Sequence, residues 1–171
     1  MKLLFTLLAA LTVTTTAHAA ITAADAFASL KKLAGEWRGP SMMKGMPPAH
    51  SIVRVTAGGS VVEEVSFPGT KMEMASLYHM DKGRLMMTHY CILGNQPHMK
   101  LNTRKSTATE LVFDFAGGTH LNASRDAHMH SLTLTLPAAS GKGAQKMIFA
   151  GTSWEGGKVK SNCGATVTRV R

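Results

Sequence analysis

Apolar and polar residues alternate with a period of two in short runs after Pro47-Pro48, which is the pattern of half-buried β-strands. The run 128–136 shows it best, because one face carries His128, His130, Leu132, Leu134 and Leu136 while the other is largely polar. The leucine face is predicted to point into the core. Strands are predicted near 35–39, 50–56, 60–67, 71–80, 84–91, 97–102, 109–115, 128–136, 145–154 and 158–169.

Turn residues separate these runs at intervals of roughly 8–12 residues, as in all-β sandwiches and barrels. The predicted turns are Ala57-Gly58-Gly59, Pro68-Gly69, Asp81-Lys82-Gly83, Ala116-Gly117-Gly118 and Gly156-Gly157. Short connections join antiparallel neighbours, and closing such a meander removes its exposed edges. We therefore predict a mostly β fold, an antiparallel up-and-down β-barrel of about 8–10 strands.

One helical pattern precedes the strands. Apolar residues recur at helical spacing through 23–33, Thr22 is placed as an N-cap and Asp25 lies in the first turn. Gly35 is expected to stop this helix. The barrel should thus begin with a short N-terminal helix.

Residues 1–19 have the order of a secretory signal peptide. Lys2 is followed by the apolar run Leu3–Leu11 and then by small residues ending Ala17-His18-Ala19. The run is too short to span a membrane core of ~30 Å. We expect cleavage between Ala19 and Ala20, a periplasmic or secreted protein, no transmembrane segment after cleavage, and a single barrel domain at 20–171.

The net charge of the chain does not alter the prediction of a single barrel domain. Nineteen Lys and Arg residues against ten Asp and Glu residues give a net charge of +9. The basic residues are scattered along the chain and are not clustered with aromatic residues, so a solvated basic surface is favoured over a nucleic-acid interface. No specific nucleic-acid partner is expected, and the domain should be a monomer or a weak homodimer.

Two cysteines, Cys91 and Cys163, lie in predicted strands far apart in the chain. In an oxidising compartment they could form a disulfide, which would add ~4 kcal/mol in the chain-entropy model. Alternatively they are two buried thiols, because strand residues far apart in order need not bring their Cα atoms within ~7 Å. The sequence leaves both open.

The segment Leu33-Ala-Gly-Glu-Trp37-Arg-Gly39 places a Gly-x-Trp motif at the entry to the first strand. With the preceding helix and following meander, it resembles the calycin superfamily of lipocalins, fatty-acid-binding proteins and nitrobindin-like haem barrels. The resemblance spans about 27–169 and implies a cavity closed at one end by Trp37. Thr88-His89-Tyr90-Cys91, Gly94-Asn95-Gln96-Pro97 and Asp126-Ala-His128-Met-His130 also resemble a group of exported bacterial proteins to which no activity is attached.

Histidines and methionines are the candidate site residues. His128 and His130, two apart on one strand, could share an ion with an inward His89, since imidazole suits zinc, copper, iron and nickel. The alternative is that these three are polar residues at a cavity mouth. Met42, Met43 and Met46 with His50 could bind Cu(I) or form a hydrophobic lid. Haem would need one inward axial histidine, as the resemblance to nitrobindin-like barrels implies.

Methionine adapts to irregular apolar ligands, so the methionines of the central strands, including Met86, predict a soft cavity wall. We expect the ligand to contact Trp37, Met72, Met74, Met87, His89, Tyr90, His128 and His130. Of the adjacent Glu63 and Glu64, one should face inward, either beside a histidine or paired with Arg54.

No nucleophile elbow, C-x-x-C, H-E-x-x-H, P-loop or dinucleotide fingerprint occurs, which gives catalysis no specific support. The favoured function is an exported, lipocalin-like barrel that binds a small apolar or amphipathic molecule and needs no cofactor. The alternative is a metal- or haem-dependent carrier or enzyme built around His89, His128 and His130.

Overall fold

The computed structural model describes residues 21–138 and 143–170, which form a closed barrel of antiparallel strands in simple meander order. Each strand pairs with its neighbours in sequence, and the first pairs with the last, Trp37 opposite Arg169. The strands are β1 Gly35–Gly39, β2 Ala49–Thr56, β3 Val61–Ser66, β4 Met74–Asp81, β5 Arg84–Tyr90, β6 Gln96–Leu101, β7 Glu110–Thr119, β8 His128–Thr135, β9 Lys146–Glu155 and β10 Lys158–Arg169. The predicted fold class is confirmed. The predicted signal peptide, residues 1–19, lies outside the described residues.

The single α-helix of the described chain, α1, covers Ala23–Lys31. The hydroxyl of Thr22 accepts a hydrogen bond from the Asp25 backbone N–H at 3.1 Å, so the predicted N-cap is present. The helix buries Ala26, Phe27 and Leu30 and packs against β4 and β5. It ends two residues before the predicted limit. No helix in the described ranges is both long and apolar enough to cross a membrane.

Trp37 fills the end of the barrel that lies beside α1. Its side chain is fully buried, and its indole Nε1–H donates to the Leu33 carbonyl at 2.8 Å. The Arg169 guanidinium lies over its ring, 4.6 Å from the centroid. A buried indole with its polar atom satisfied makes a rigid plug, so this end is closed.

The predicted turn at Ala116-Gly117-Gly118 is wrong, because β7 continues to Thr119. Gly118 pairs with Pro97 and Thr119 pairs with Gln96. A Cβ on Gly118 would lie 2.6 Å from Leu121 Cδ2 and 3.0 Å from the Gln96 carbonyl oxygen. Glycine here permits the close approach of two strands rather than a reversal of the chain.

The prediction that inward and outward residues alternate strictly along β8 is also wrong at the beginning of the strand. The pairing with β9 shifts between Met129 and Ser131, which inserts one extra residue and forms a β-bulge. Leu132 and Leu134 are buried as predicted, but His128 and His130 do not continue their face in simple alternation. His128 is buried and His130 only half-buried.

The structure shows which face of β4 and which face of β5 points into the barrel. In β4, Ser76 and Tyr78 are buried, which decides between two faces that the sequence left open. In β5, the buried residues are Leu85, Met87 and His89, so these three share the inner face. Serine, tyrosine and histidine therefore lie side by side on the inner face of the barrel.

Candidate functional site

The barrel contains a cavity of about 420 Å³ at the end opposite α1 and Trp37. Its wall is formed mainly by apolar side chains from both halves of the sheet, among them Met74, Met129, Leu132 and Phe149. This volume lies within the range of about 300–1,000 Å³ that is usual for small-molecule sites. The arrangement can enclose one small organic molecule.

The mouth of the cavity is bordered by the loops that join the strands at this end. Met43 and Met46 come from the β1–β2 loop, Met72 from the β3–β4 loop, and Ile92 and Leu93 from the β5–β6 loop. Ile92 and Leu93 are 52% and 59% exposed. Apolar side chains held in solvent beside an apolar cavity indicate an entrance for an apolar molecule.

A buried carboxylate lies among the apolar residues of the cavity wall. Glu64 is 6% exposed, and its Oε1 accepts hydrogen bonds from Ser51 at 2.7 Å and Ser66 at 2.6 Å. Of the two adjacent glutamates it is thus Glu64 that faces inward. The anticipated partner, Arg54, instead pairs with the outward Glu63.

Glu64, Ser76 and His89 are direct cross-strand partners on β3, β4 and β5. The Ser76 Oγ lies 3.0 Å from the His89 Nδ1, and the Ser76 hydroxyl also stabilises the charged form of Glu64. Cross-strand pairs on one face of a sheet stand close enough to interact. The three side chains therefore form a polar row across an otherwise apolar wall, and all three line the cavity.

Burial shifts the pKa values of Glu64 and His89 in this row. Desolvation raises the pKa of Glu64, and the hydroxyls of Ser66, Ser51 and Ser76 counteract part of that rise. Desolvation also lowers the pKa of His89 to about 4, so its imidazole is neutral at pH 7. The pKa of Tyr78 is raised well above its usual value by burial and by the charge of Glu64.

His128 and His130 are brought together, but on one side of the site. The His128 Nε2 lies 3.1 Å from the His130 Nδ1, and the His128 Nδ1 contacts the Asp126 carbonyl at 2.7 Å. His130 stacks on Trp154 with ring centroids 3.7 Å apart. Desolvation and the neighbouring His128 lower the pKa of His130.

The predicted three-histidine group is divided. His128 lines the cavity with His89, whereas His130 packs outside the lining. Nowhere in residues 21–138 and 143–170 do three or more His, Cys, Asp or Glu side chains come together in a group that could hold a metal ion. The pair His128 and His130 instead forms part of an aromatic stack with Phe115 and Trp154.

The other predicted contact residues also separate into two sets. Met72 and Met74 line the cavity together with His89 and His128. Trp37 and Met87 are fully buried in the core outside the lining. Tyr90 also lies outside the lining and is 47% exposed, because it follows His89 on β5 and therefore points to the opposite face.

The early methionine loop contributes to the entrance. Met43, Met46 and His50 line the cavity, whereas Met42 is 56% exposed and does not. The His50 Nε2 lies 3.1 Å from Glu36 Oε1. The Glu36 carboxylate therefore faces the imidazole of His50, the residue that could bind Cu(I) together with these methionines.

Cys91 and Cys163 are free thiols, and both line the cavity. Of the two possibilities left open by the sequence, the structure has the unpaired one. Burial raises the pKa of the Cys163 thiol, and the neighbouring Cys91 adds to the rise. At neutral pH Cys163 is therefore a weak nucleophile at the cavity surface.

Sequence reasoning missed the serines that surround Glu64. Ser51, Ser66 and Ser76 come from three successive strands, and each lies at an inward position of its strand. The signal was available in part, because Ser51 alternates in phase with the apolar residues Ala49 and Val53. Their convergence depends on the register between strands, which turn lengths did not fix.

No family model matches this chain. A search of curated proteins likewise finds no match.

Proposed function

We propose that this chain is a non-enzymatic binding protein of the calycin type, which holds one small apolar or amphipathic molecule inside its barrel. The observation that carries the proposal is the cavity of about 420 Å³, walled by methionine, leucine and phenylalanine side chains. Burial of apolar ligand surface contributes roughly 25 cal/mol per Å², so such a wall favours an apolar occupant.

The two ends of the barrel support a one-entrance container. Helix α1 and the buried Trp37 close one end, and exposed Ile92 and Leu93 border the other. A ligand would enter between the loops at the open end and lie with its apolar part against Leu132 and Phe149. Soft methionines at the entrance suit ligands of varied shape.

Export to the periplasm or the medium is part of the proposal and rests on the N-terminal pattern. Lys2, the apolar run Leu3–Leu11 and Ala17-His18-Ala19 have the order of a cleavable signal. The protein would act as a monomer or a weak homodimer carrying a molecule of low aqueous solubility.

Titration with Nile red, a neutral dye that becomes fluorescent in apolar sites, tests the proposal. The wild-type barrel should bind one dye per chain. Ala165 is buried in the cavity wall, so Ala165→Phe should fill the space and weaken binding at least about tenfold, or ~1.4 kcal/mol. Ala28→Phe, at an exposed helix position, is the matched control and should leave the affinity unchanged.

A folded wild-type protein without saturable dye binding would refute the container function. Equal binding by wild type and a folded Ala165→Phe variant would place the dye elsewhere on the protein and would equally count against it.

Haem is a second candidate, supported by His89 alone. Its Nδ1 is held by Ser76, which leaves Nε2 as the coordinating nitrogen in an apolar surrounding. One such axial imidazole is what a haem site needs. Haem added to the purified chain should then give a Soret band that shifts in His89→Ala, and an unshifted spectrum would exclude His89 as the ligand.

A further inference from the structure

Glu64 is a buried carboxylate without a cationic partner among the described residues. It makes none of the ion pairs found in the described chain, and its hydrogen-bond donors are neutral serine hydroxyls. The nearest arginine on its neighbouring strand, Arg54, pairs with Glu63 on the outer face. An ionised carboxylate that is buried without a counter-charge is costly, and such groups are concentrated at functional sites.

The titratable groups around Glu64 do not supply that counter-charge at pH 7. From β4, Tyr78 faces it with a pKa raised well above the usual value. From β5, the His89 imidazole is neutral because its pKa is lowered to about 4. From β2, the side chain that contacts Glu64 is the neutral Ser51. None of these neighbours therefore supplies a positive charge to Glu64.

The hydrogen bonds of the row also have a direction. An ionised carboxylate only accepts hydrogen bonds, so with Glu64 ionised we assign the Ser76 hydroxyl as a donor to Glu64 and its oxygen as the acceptor from His89, which places the imidazole proton on Nδ1. The Nε2 atom of His89 then has a lone pair and no hydrogen-bond partner within residues 21–138 and 143–170. Glu64 and His89 thus present acceptors to the cavity, and a complementary ligand must present donors.

We propose that the ligand of this cavity is an amphipathic amine, whose ammonium group binds between Glu64 and His89 while its alkyl or aromatic part lies against the apolar wall. This inference rests on the binding function proposed above and specifies its ligand class. An ammonium group provides both the missing positive charge and several N–H donors, and charge-assisted hydrogen bonds are about twice as strong as neutral ones.

The same geometry disfavours the two most similar ligand classes. A fatty acid would bring a second carboxylate beside Glu64, and like charges repel strongly in a cavity of low dielectric constant. A fatty alcohol would satisfy one acceptor without supplying a charge. The expected order of affinity is therefore amine, then alcohol, then carboxylate.

Displacement of Nile red by decylamine, decanol and decanoate at pH 7 tests this order. These probes share one chain length and differ in the head group. In the wild type, decylamine should bind about tenfold more tightly than decanol, which corresponds to ~1.4 kcal/mol. Non-specific attraction cannot produce this result, because a chain with a net charge of +9 attracts the anion rather than the amine.

Glu64→Gln should remove the preference, so that decylamine and decanol bind within about threefold of each other. Glu63→Gln changes the adjacent, outward glutamate and should keep the wild-type order. Should Glu64→Gln fail to fold, the wild-type order decides by itself, with Glu64→Asp as the second variant.

Equal affinities for the amine and the alcohol, or tightest binding of decanoate, would overturn the amine proposal and leave the container function standing. If Nile red itself does not bind, the container function fails. If Nile red binds but none of the three probes displaces it, the amine proposal fails.

Discussion

The Oγ of Ser76 lies 3.0 Å from the Nδ1 of His89, inside a barrel wall that is otherwise largely apolar. This contact joins β4 to β5 and is continued by Glu64 on β3. It gives the cavity a polar side and provides the buried His89 imidazole with a hydrogen-bond partner. Several consequences of this arrangement can be measured.

Replacing His89 should change how stability depends on pH. The pKa of His89 is about 4 in the folded protein, below its usual 6.5, so the unfolded chain binds a proton first as pH falls. This lowers the free energy of unfolding of the wild type between pH 6.5 and 4, by ~3 kcal/mol in total. Urea titrations of His89→Gln should not show this decrease in the free energy of unfolding. An NMR titration that places His89 near 6.5 would contradict the burial argument.

Trp37→Phe should destabilise the barrel without affecting its cavity. The change leaves the Leu33 carbonyl without its indole donor and opens space in the plug, which together should cost about 2–3 kcal/mol. Trp154→Phe, at a half-buried position, is the control and should cost less than about 1 kcal/mol. Nile red affinity of Trp37→Phe should stay within about twofold of wild type. Similar losses of stability in both variants would argue against the plug.

Ligand binding should protect the cysteines of the cavity wall. Both Cys91 and Cys163 line the cavity, and a molecule that fills it covers them. Alkylation of Cys163 by iodoacetamide, measured in Cys91→Ser, should slow about tenfold when decanol saturates the site. An unchanged alkylation rate at saturation would place decanol outside the barrel.

Export can be tested at the N-terminus of the processed chain. When the full sequence is expressed in a Gram-negative host, the mature protein in the periplasmic fraction should begin at Ala20. Intact-mass spectrometry measures this directly. A cytoplasmic product that retains residues 1–19 would refute the signal-peptide prediction.

The barrel could be predicted from the sequence because each part of the evidence was local. Alternation in 128–136, turn residues at regular spacing and the Thr22 cap of α1 each act within a few residues of chain. The failures have non-local causes. The bulge after Met129 and the close approach at Gly118 both depend on a neighbouring strand, which one strand's pattern does not contain.

The candidate site was harder to predict for the same reason. His89 and Met74 were found because their residue types suggested a cavity, but Tyr90 was included although it alternates with His89 and faces outward. The environment of Glu64 depends on the registers of β2, β3 and β4, which bring three serines around one carboxylate. Register follows from packing of the whole barrel, so this cluster could be described only in three dimensions.

The cavity itself is tested most directly by NMR of methyl-labelled methionines during titration with decanol. The signals of Met43, Met46, Met72 and Met74, which line the cavity, should shift and saturate together, whereas that of Met86 on the outer face of β5 should stay in place. If the four cavity signals remain unchanged while decanol binds, the interior of the barrel is not the ligand site.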